Sequence, residues 1–234
     1  LLKPSLYWSL KDAFLKGKQD LILDPNEAVK GLQETLLEAT RIQSRADVPL
    51  GAFLSGGIDS STVVALLQEQ SSKPIKTYTI GFENQEYDEA GVASKIASIL
   101  GTDHTEHYVN ASEALDVIPK LAHLYDEPFA DSSQIPTFIV SRLAATEVNV
   151  ALSGDAGDEL FGGYNRYISA PLIYRNFKFL PYSIRLILAK SFSSLPMPIW
   201  QVLGNIFSVK QAPDKIKKVF SILQSKDLDM VYAR

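Results

Sequence analysis

The chain has 234 residues, of which 46% are hydrophobic and 21% charged, with a formal net charge of −4. That is an ordinary balance for a soluble chain with a real core, long enough for one large domain or one and a half. The mild negative charge argues against a nucleic-acid footprint, and Pro, Lys or Arg interrupts every apolar run well short of a membrane span. With no cysteine there is no disulfide, no thiolate zinc site and no cysteine nucleophile, and the composition is compatible with a reducing, cytoplasmic setting. His104, His107 and His123 lack a dense ligand pattern and read as surface residues of strands and helices.

In chain order, Asp24-Pro25-Asn26-Glu27 is a helix start, with an N-cap Asp, Pro at the first position and Glu three after the cap. Val29, Leu32, Leu36 and Ala39 recur at helical spacing, which predicts an amphipathic helix over roughly 25–44. The apolar run 48–54 predicts a buried strand, and 59–70 the helix after it. A second strand is expected over 75–82, a helix over 87–100 with Gly101 as its stop, and a third strand over 104–109. Helices near 111–124 and 133–146 flank the turn-rich Asp126-Glu127-Pro128, and 148–152 is the fourth strand. Strands alternating with helices of this length predict an α/β fold, a doubly wound parallel sheet whose ligands bind beyond the carboxyl ends of the strands. Past Tyr167 the pattern changes. Pro171, Pro181, Pro196, Pro198 and Pro213 punctuate apolar helical pieces, read as a helical subdomain with Trp200, Phe207 and Phe220 in its core.

Two loops carry the chemistry. Leu54-Ser55-Gly56-Gly57-Ile58-Asp59-Ser60-Ser61 lies between the first strand and its helix. A tight Gly-Gly turn there gathers free backbone N–H groups and the positive end of a helix dipole, which suits phosphate. Three hydroxyls add neutral donors, and Asp59 beside a phosphate calls for a bridging divalent cation, so the loop points to Mg-nucleotide. It is neither a Walker A loop nor a Gly-x-Ser-x-Gly elbow, and a capped Gly-rich turn is the competing reading. The second loop, Ser153-Gly154-Asp155-Ala156-Gly157-Asp158-Glu159, sets acids directly after a buried strand. Alone it reads equally as a solvated acidic loop, but one of its acids and Asp59 are able to share Mg²⁺ with phosphate oxygens.

The chain resembles the synthetase half of the glutamine-dependent asparagine synthetases, a family of pyrophosphate-loop ATP enzymes. The matching pieces are Ser-Gly-Gly-Ile-Asp-Ser-Ser (55–61), Thr-Ile-Gly-Phe (79–82), Leu-Gly-Thr-Asp-His-Thr-Glu (100–106), the segment 126–136 and Ser-Gly-Asp-Ala-Gly-Asp-Glu-Leu-Phe-Gly-Gly-Tyr (153–164). Tyr7-Trp8 fits the lead-in, so the resemblance runs in order from about residue 5 to 167. It implies the adenine-nucleotide α-hydrolase type of sheet and a two-step ligation. Aspartate's side-chain carboxylate takes AMP from ATP, and ammonia, released from glutamine, then displaces AMP to give asparagine. By the same resemblance Ser55, Gly56, Gly57, Ser60 and Ser61 hold the pyrophosphate portion, and Asp59 and Asp158 are the Mg²⁺ ligands. Phe53, Ile80, Ser153 and Gly154 line the adenosine site, and Asp155 is the acid for forming or consuming the adenylate; its plainer reading is a helix N-cap. Asp126 to Ser133 faces the site in relatives, Glu127 and Asp131 equally read as loop braces, and Arg166 and Tyr167 either touch substrate or pack.

The resemblance divides the chain into a lead-in and first helix (1–46), an ATP-binding core (47–167) and a helical subdomain (168–234). Three departures stand out. Ala156 replaces a usual Gly; the glutaminase half with its N-terminal cysteine has no counterpart; and the family's catalytic lysine and Arg-rich signature have no recognisable copy, Lys215, Lys217 and Lys218 lying in unmatched surroundings. The expectation is therefore a fragment that binds Mg-ATP and ligates poorly alone. A homodimer is left open. The rivals are an amidotransferase or β-lactam-synthetase-like ligase acting on another carboxylate, and a nucleotide-binding module without catalysis.

Overall fold

The computed structural model describes residues 5–82, 88–128, 130–193, 220, 222–227 and 230–231. Among them four strands form one parallel sheet, β1 (Leu50–Phe53), β2 (Lys76–Phe82), β3 (Asp103–Val109) and β4 (Val150–Leu152), in the order β3-β2-β1-β4. The register pairs Ala52 with Thr77 and with Leu152, and Thr79 with Glu106. The chain forms two compact units, Leu1–Asp155 and Ala156–Arg234.

Helix α1 (Leu10–Gln19) precedes the helix expected first in sequence; Ser9 caps it by accepting from the Asp12 N–H, and none of its residues is buried. Helix α2 (Pro25–Gln43) starts as its sequence dictates, the Asp24 carboxylate accepting from the N–H groups of Asn26 and Glu27 at 2.8 and 3.0 Å. It is tied to α3 (Ile58–Glu69) through the Gln70 amide, which donates to Thr40 Oγ1 and Leu37 O. Helix α4 (Ala90–Leu100) ends where Gly101 turns left-handed at φ 71°. Helix α5 (Ala111–Leu124) opens on the Asn110 cap, and α6 (Gln134–Ala144) leads into β4.

Side-chain alternation along β2 sends its residues to opposite faces of the sheet. On one face Ala52 and Leu54 of β1 and its end pack with Val64 and Leu67 of α3 and Ala93 and Ala97 of α4. On the other, Tyr78 packs with Ala144 and Val148, while Ile80 and Phe82 join Val109, Val117 and Ile139 beneath α5 and α6. Helices thus cover both faces, the doubly wound α/β arrangement expected. The order reverses between β1 and β4, so the switch point lies at the carboxyl ends of those two strands.

His104 departs from its surface reading. It is half-buried on β3, with Nδ1 2.9 Å from Thr77 Oγ1, and its Nε2 is buried without a partner. His107 Nε2 instead meets Glu113 2.9 Å away, and Glu113 also takes Arg142.

The second unit contains α7 (Gly157–Phe161), α8 (Asn165–Phe177) and α9 (Tyr182–Ser193). Pro171 lies inside α8 instead of breaking it, whereas Pro181 stands just before α9. Buried Arg185 organises this unit: its guanidinium faces the rings of Tyr174 and Tyr182 at 5.4 and 5.6 Å and donates to Ser225 O at 3.0 Å. Phe220 is half-buried, and the expected core residues Trp200 and Phe207 lie outside the described residues, as do Pro196, Pro198, Pro213 and the three lysines at 215–218.

Candidate functional site

The first loop is shaped by one backbone constraint and three hydroxyls. Gly56 has φ 84°, and a Cβ there would stand 3.0 Å from Val92 Cβ, so both conformation and space demand glycine. Ser55 and Ser60 hold each other, Oγ to Oγ at 3.0 Å, while Ser60 Oγ also takes the Ser55 N–H at 3.2 Å. Ser61 Oγ donates back to Gly57 O at 2.6 Å. The hydroxyl of buried Ser60 therefore braces the loop from inside, and Ser55 is exposed at its rim. Helix α3 starts at Ile58 with Gly57 as N-cap and no side-chain capping bond. The N–H groups of Ile58, Asp59 and Ser60, in the first turn, have no intrahelical acceptor, the kind of helix start that suits an anion.

Asp59 sits in that first turn without capping it, which removes the plainer reading of this residue. The same holds in the second loop. The N-cap of α7 is Ala156, not Asp155, and no side chain caps it. Asp155 is exposed, and its only part in the loop's bonding is an N–H donated to Ser153 Oγ at 3.4 Å. Ala156 itself adopts φ 72° and ψ −1°, the left-handed conformation that favours glycine; an L-residue bears that cost here.

The two loops meet at the switch point within the first unit. A Cβ on Gly154 would lie 2.5 Å from Ser60 N and 2.8 Å from Asp59 C, so backbone passes against backbone. Sequence reasoning paired these loops by their strand ends, and the structure brings 153–155 directly onto the start of α3. Asp158 belongs to the second unit, where its backbone carbonyl accepts the Gly163 N–H at 3.0 Å. Among the described residues no group of three or more His, Cys, Asp or Glu is arranged to hold a metal ion.

Beside the first loop lies a cavity of about 260 Å³. Phe53, Leu54 and Ser55 form one wall, Tyr78 to Ile80 and Phe82 the floor, and Pro136, Thr137 and Val140 of α6 the opposite side. Phe53 and Ile80 were expected at an adenosine site and Ser55 at the pyrophosphate; Glu89, Thr137 and Val140 were not singled out. The motifs 55–61, 79–82 and 126–136 carried sequence signal for Ser55, Thr79, Ile80, Phe82 and Pro136, whereas Glu89, Thr137 and Val140 converge from separate helices. Asp131 braces its own segment, accepting from the Ser133 N–H at 2.8 Å, and that backbone bond holds its carboxyl below the usual range.

Past the second loop, Tyr164 donates to Glu159 at 2.6 Å; the bond pushes the phenol up to about 12 and draws the Glu159 carboxyl down. Arg166 lies 4.8 Å from the Tyr164 ring and 5.5 Å from that of Tyr167, so it is at least partly a packing residue.

A parallel sheet with helices on both faces and two polar loops meeting at its switch point defines a doubly wound α/β domain. Comparison with known proteins narrows that class. The asparagine synthase family model matches residues 31–226, and the chain belongs to that family. It is 33% identical over 195 residues, 83% of its length, to a glutamine-hydrolyzing asparagine synthetase 1 of Bacillus subtilis. It is 30% identical over 170 residues, 65% of its length, to the glutamine-hydrolyzing asparagine synthetase B of Escherichia coli. The chain spans 30% and 29% of those two relatives. Among solved structures, an NH3-dependent NAD synthetase from Campylobacter jejuni aligns with a TM-score of 0.40 and 13% identity, covering 89% of this chain and 96% of that one. No helix among the described residues is long and apolar enough to cross a membrane.

Proposed function

We propose that this chain is the ATP-binding part of an asparagine synthetase, a cytoplasmic ATP-dependent carbon–nitrogen ligase fed with ammonia by a glutaminase domain. The observation that carries the reading is the backbone contact between Gly154 and the start of α3, beside an apolar cavity. It brings a phosphate-binding helix start, an uncommitted acid at Asp59 and a second at Asp155 to one edge of one sheet.

The residues present suit Mg-ATP. Gly56 and Gly57 leave a cradle without side chains, the first-turn N–H groups of α3 face it, and Phe53 and Ile80 wall the adjoining cavity. Mg²⁺ characteristically takes one or two carboxylates and completes its sphere with phosphate oxygens and water, so Asp59 beside the helix start is a sufficient share from the first unit; Asp158 is a ligand on the family resemblance alone. Its chemistry there is to neutralise charge on the departing pyrophosphate. This chain's own residues bind and orient. The backbone of 55–58 and the rim hydroxyls hold the β- and γ-phosphates, leaving the α-phosphorus open to aspartate's side-chain carboxylate. Attack forms an acyl–phosphate bond and breaks the bond to pyrophosphate, after which ammonia displaces AMP from the acyl carbon. Asp155 is the acidic group assigned to these steps.

Calorimetric titration of ATP with and without Mg²⁺ tests the nucleotide site: Asp59→Asn is expected to abolish the Mg²⁺-dependent part of the affinity, and unchanged affinity removes Asp59 from the metal. Aspartate-dependent exchange of labelled pyrophosphate into ATP, measured on the protein with its glutaminase half, tests the substrate. Exchange driven better by another carboxylic acid replaces asparagine with that acid's amide.

A further inference from the structure

Glu89 lines the cavity from the start of α4, and among the described residues no hydrogen bond or ion pair uses its carboxylate. It occupies the N-cap position of α4 but makes no side-chain capping bond, and it is exposed. Its backbone carbonyl accepts the N–H groups of Val92 and Ala93 at 3.1 and 3.0 Å, closing the first turn of the helix. That turn rests on the phosphate-facing loop, since a Cβ on Gly56 would lie 3.0 Å from Val92 Cβ and 3.3 Å from Ala93 N. Glu89 thus belongs to a turn that touches both the loop and the cavity.

A carboxylate in that place repels phosphate, the apolar side chains of Phe53, Ile80, Phe82 and Val140 offer it no donor, and no hydrogen bond joins it to the lining hydroxyls of Ser55, Thr79 and Thr137. What it accepts well is a pair of neutral O–H donors, one to each oxygen. A nucleotide carries such a pair on its sugar, the part that joins an apolar base to charged phosphates. The geometry points to Glu89 as the residue that reads the 2′- and 3′-hydroxyls of the bound nucleotide, making the site selective for ribonucleotides over their deoxy forms. The inference rests on the ATP reading above and adds a specificity residue to it.

The experiment is titration of ATP, 2′-deoxy-ATP and 3′-deoxy-ATP, each with Mg²⁺, into the wild-type chain and into Glu89→Ala and Glu89→Gln. Wild type is expected to prefer ATP by about 10- to 100-fold over either deoxy form, the range for one charge-assisted hydrogen bond. Glu89→Ala is expected to weaken each deoxy form by about 10- to 100-fold, since it loses the one bond it keeps, and ATP by more, since it loses both, so that the three nucleotides bind alike. Glu89→Gln falls between, because its amide oxygen still accepts but without charge. A preference that survives in Glu89→Ala overturns the inference, as does a wild type without one. An equal loss for all three nucleotides also overturns it and assigns Glu89 to the metal or the phosphates. Failure of every protein to bind any of the three overturns the ATP reading itself. Glu89 is exposed, and unchanged melting of both variants verifies that the fold is intact.

Discussion

Gly154→Ala is the most direct perturbation of the site, because it changes one methyl group where two loops touch. The added Cβ would stand 2.5 Å from Ser60 N, 2.8 Å from Asp59 C and 2.9 Å from Ser60 Cα. All three neighbours are backbone atoms in the first turn of a helix, so none can rotate away. Ordinary carbon contacts need about 3.5 Å or more, so either β4's end or the start of α3 must move by about 1 Å. Overpacking of this kind costs about 2 kcal/mol, equivalent to a melting temperature lower by about 4–8 °C in a chain this long. The same displacement tilts the N–H groups of Ile58 and Asp59, so ATP affinity is expected to fall about tenfold or more. Gly31→Ala is the matched control: it lies within α2 with nothing within 4 Å of a new Cβ, and it is expected to raise stability by up to about 1 kcal/mol. Differential scanning fluorimetry and calorimetric ATP titration on the same preparations read both quantities. A Gly154→Ala protein that melts with wild type and binds ATP equally would refute the contact.

Ala156→Gly relieves an L-residue held at φ 72° and is expected to stabilise by about 0.5–1 kcal/mol after the added unfolded-state freedom of glycine, while Ala156→Val destabilises; urea midpoints measure both. Burial holds the His104 imidazole below its ordinary value, against a smaller opposing effect of Glu106, so the folded protein prefers the neutral ring. Its contribution is complete above the unfolded value near 6.5 and is lost as pH falls from there through the lower folded value; melting scans from pH 7.5 to 5 are expected to slope less steeply in His104→Gln. Arg185→Lys gives up the planar contacts with Tyr174 and Tyr182, and it is expected to cost the second unit about 1–3 kcal/mol, read by hydrogen exchange of α8 and α9.

The elements that were legible in the sequence carry their own punctuation. Helix α5 runs from 111 to 124 as expected because Asn110 caps it, and α4 stops at Gly101 for the stated reason. Strand ends were less legible: 48–54 shortens to 50–53, since Pro49 has no N–H for the ladder. Helix α1 was missed because ten residues with three lysines and a glycine give weak periodicity, and Leu10, Phe14 and Leu15 stay exposed, so no packing completes the pattern. The loops at 54–61 and 153–159 announced themselves through residue types that need a special backbone. The cavity wall did so only in part: Ile80, Phe82 and Pro136 lie in motifs of the family resemblance, whereas Glu89, Thr137 and Val140 become neighbours only when α4 and α6 close on opposite faces of β2.

From Leu54 to Leu67 the chain has no lysine or arginine, so the loop ahead of α3 offers an anion only dipoles: backbone N–H groups and serine hydroxyls. Monopole attraction fades over a Debye length, about 8 Å at physiological ionic strength, whereas dipoles act at contact and are screened little. On the proposed Mg-ATP reading, nucleotide capture is therefore expected to be nearly indifferent to added potassium chloride and steeply dependent on free magnesium. Under that reading a cell that changes its osmolarity would leave the hold on ATP almost untouched, while one that depletes its divalent ions would switch it off.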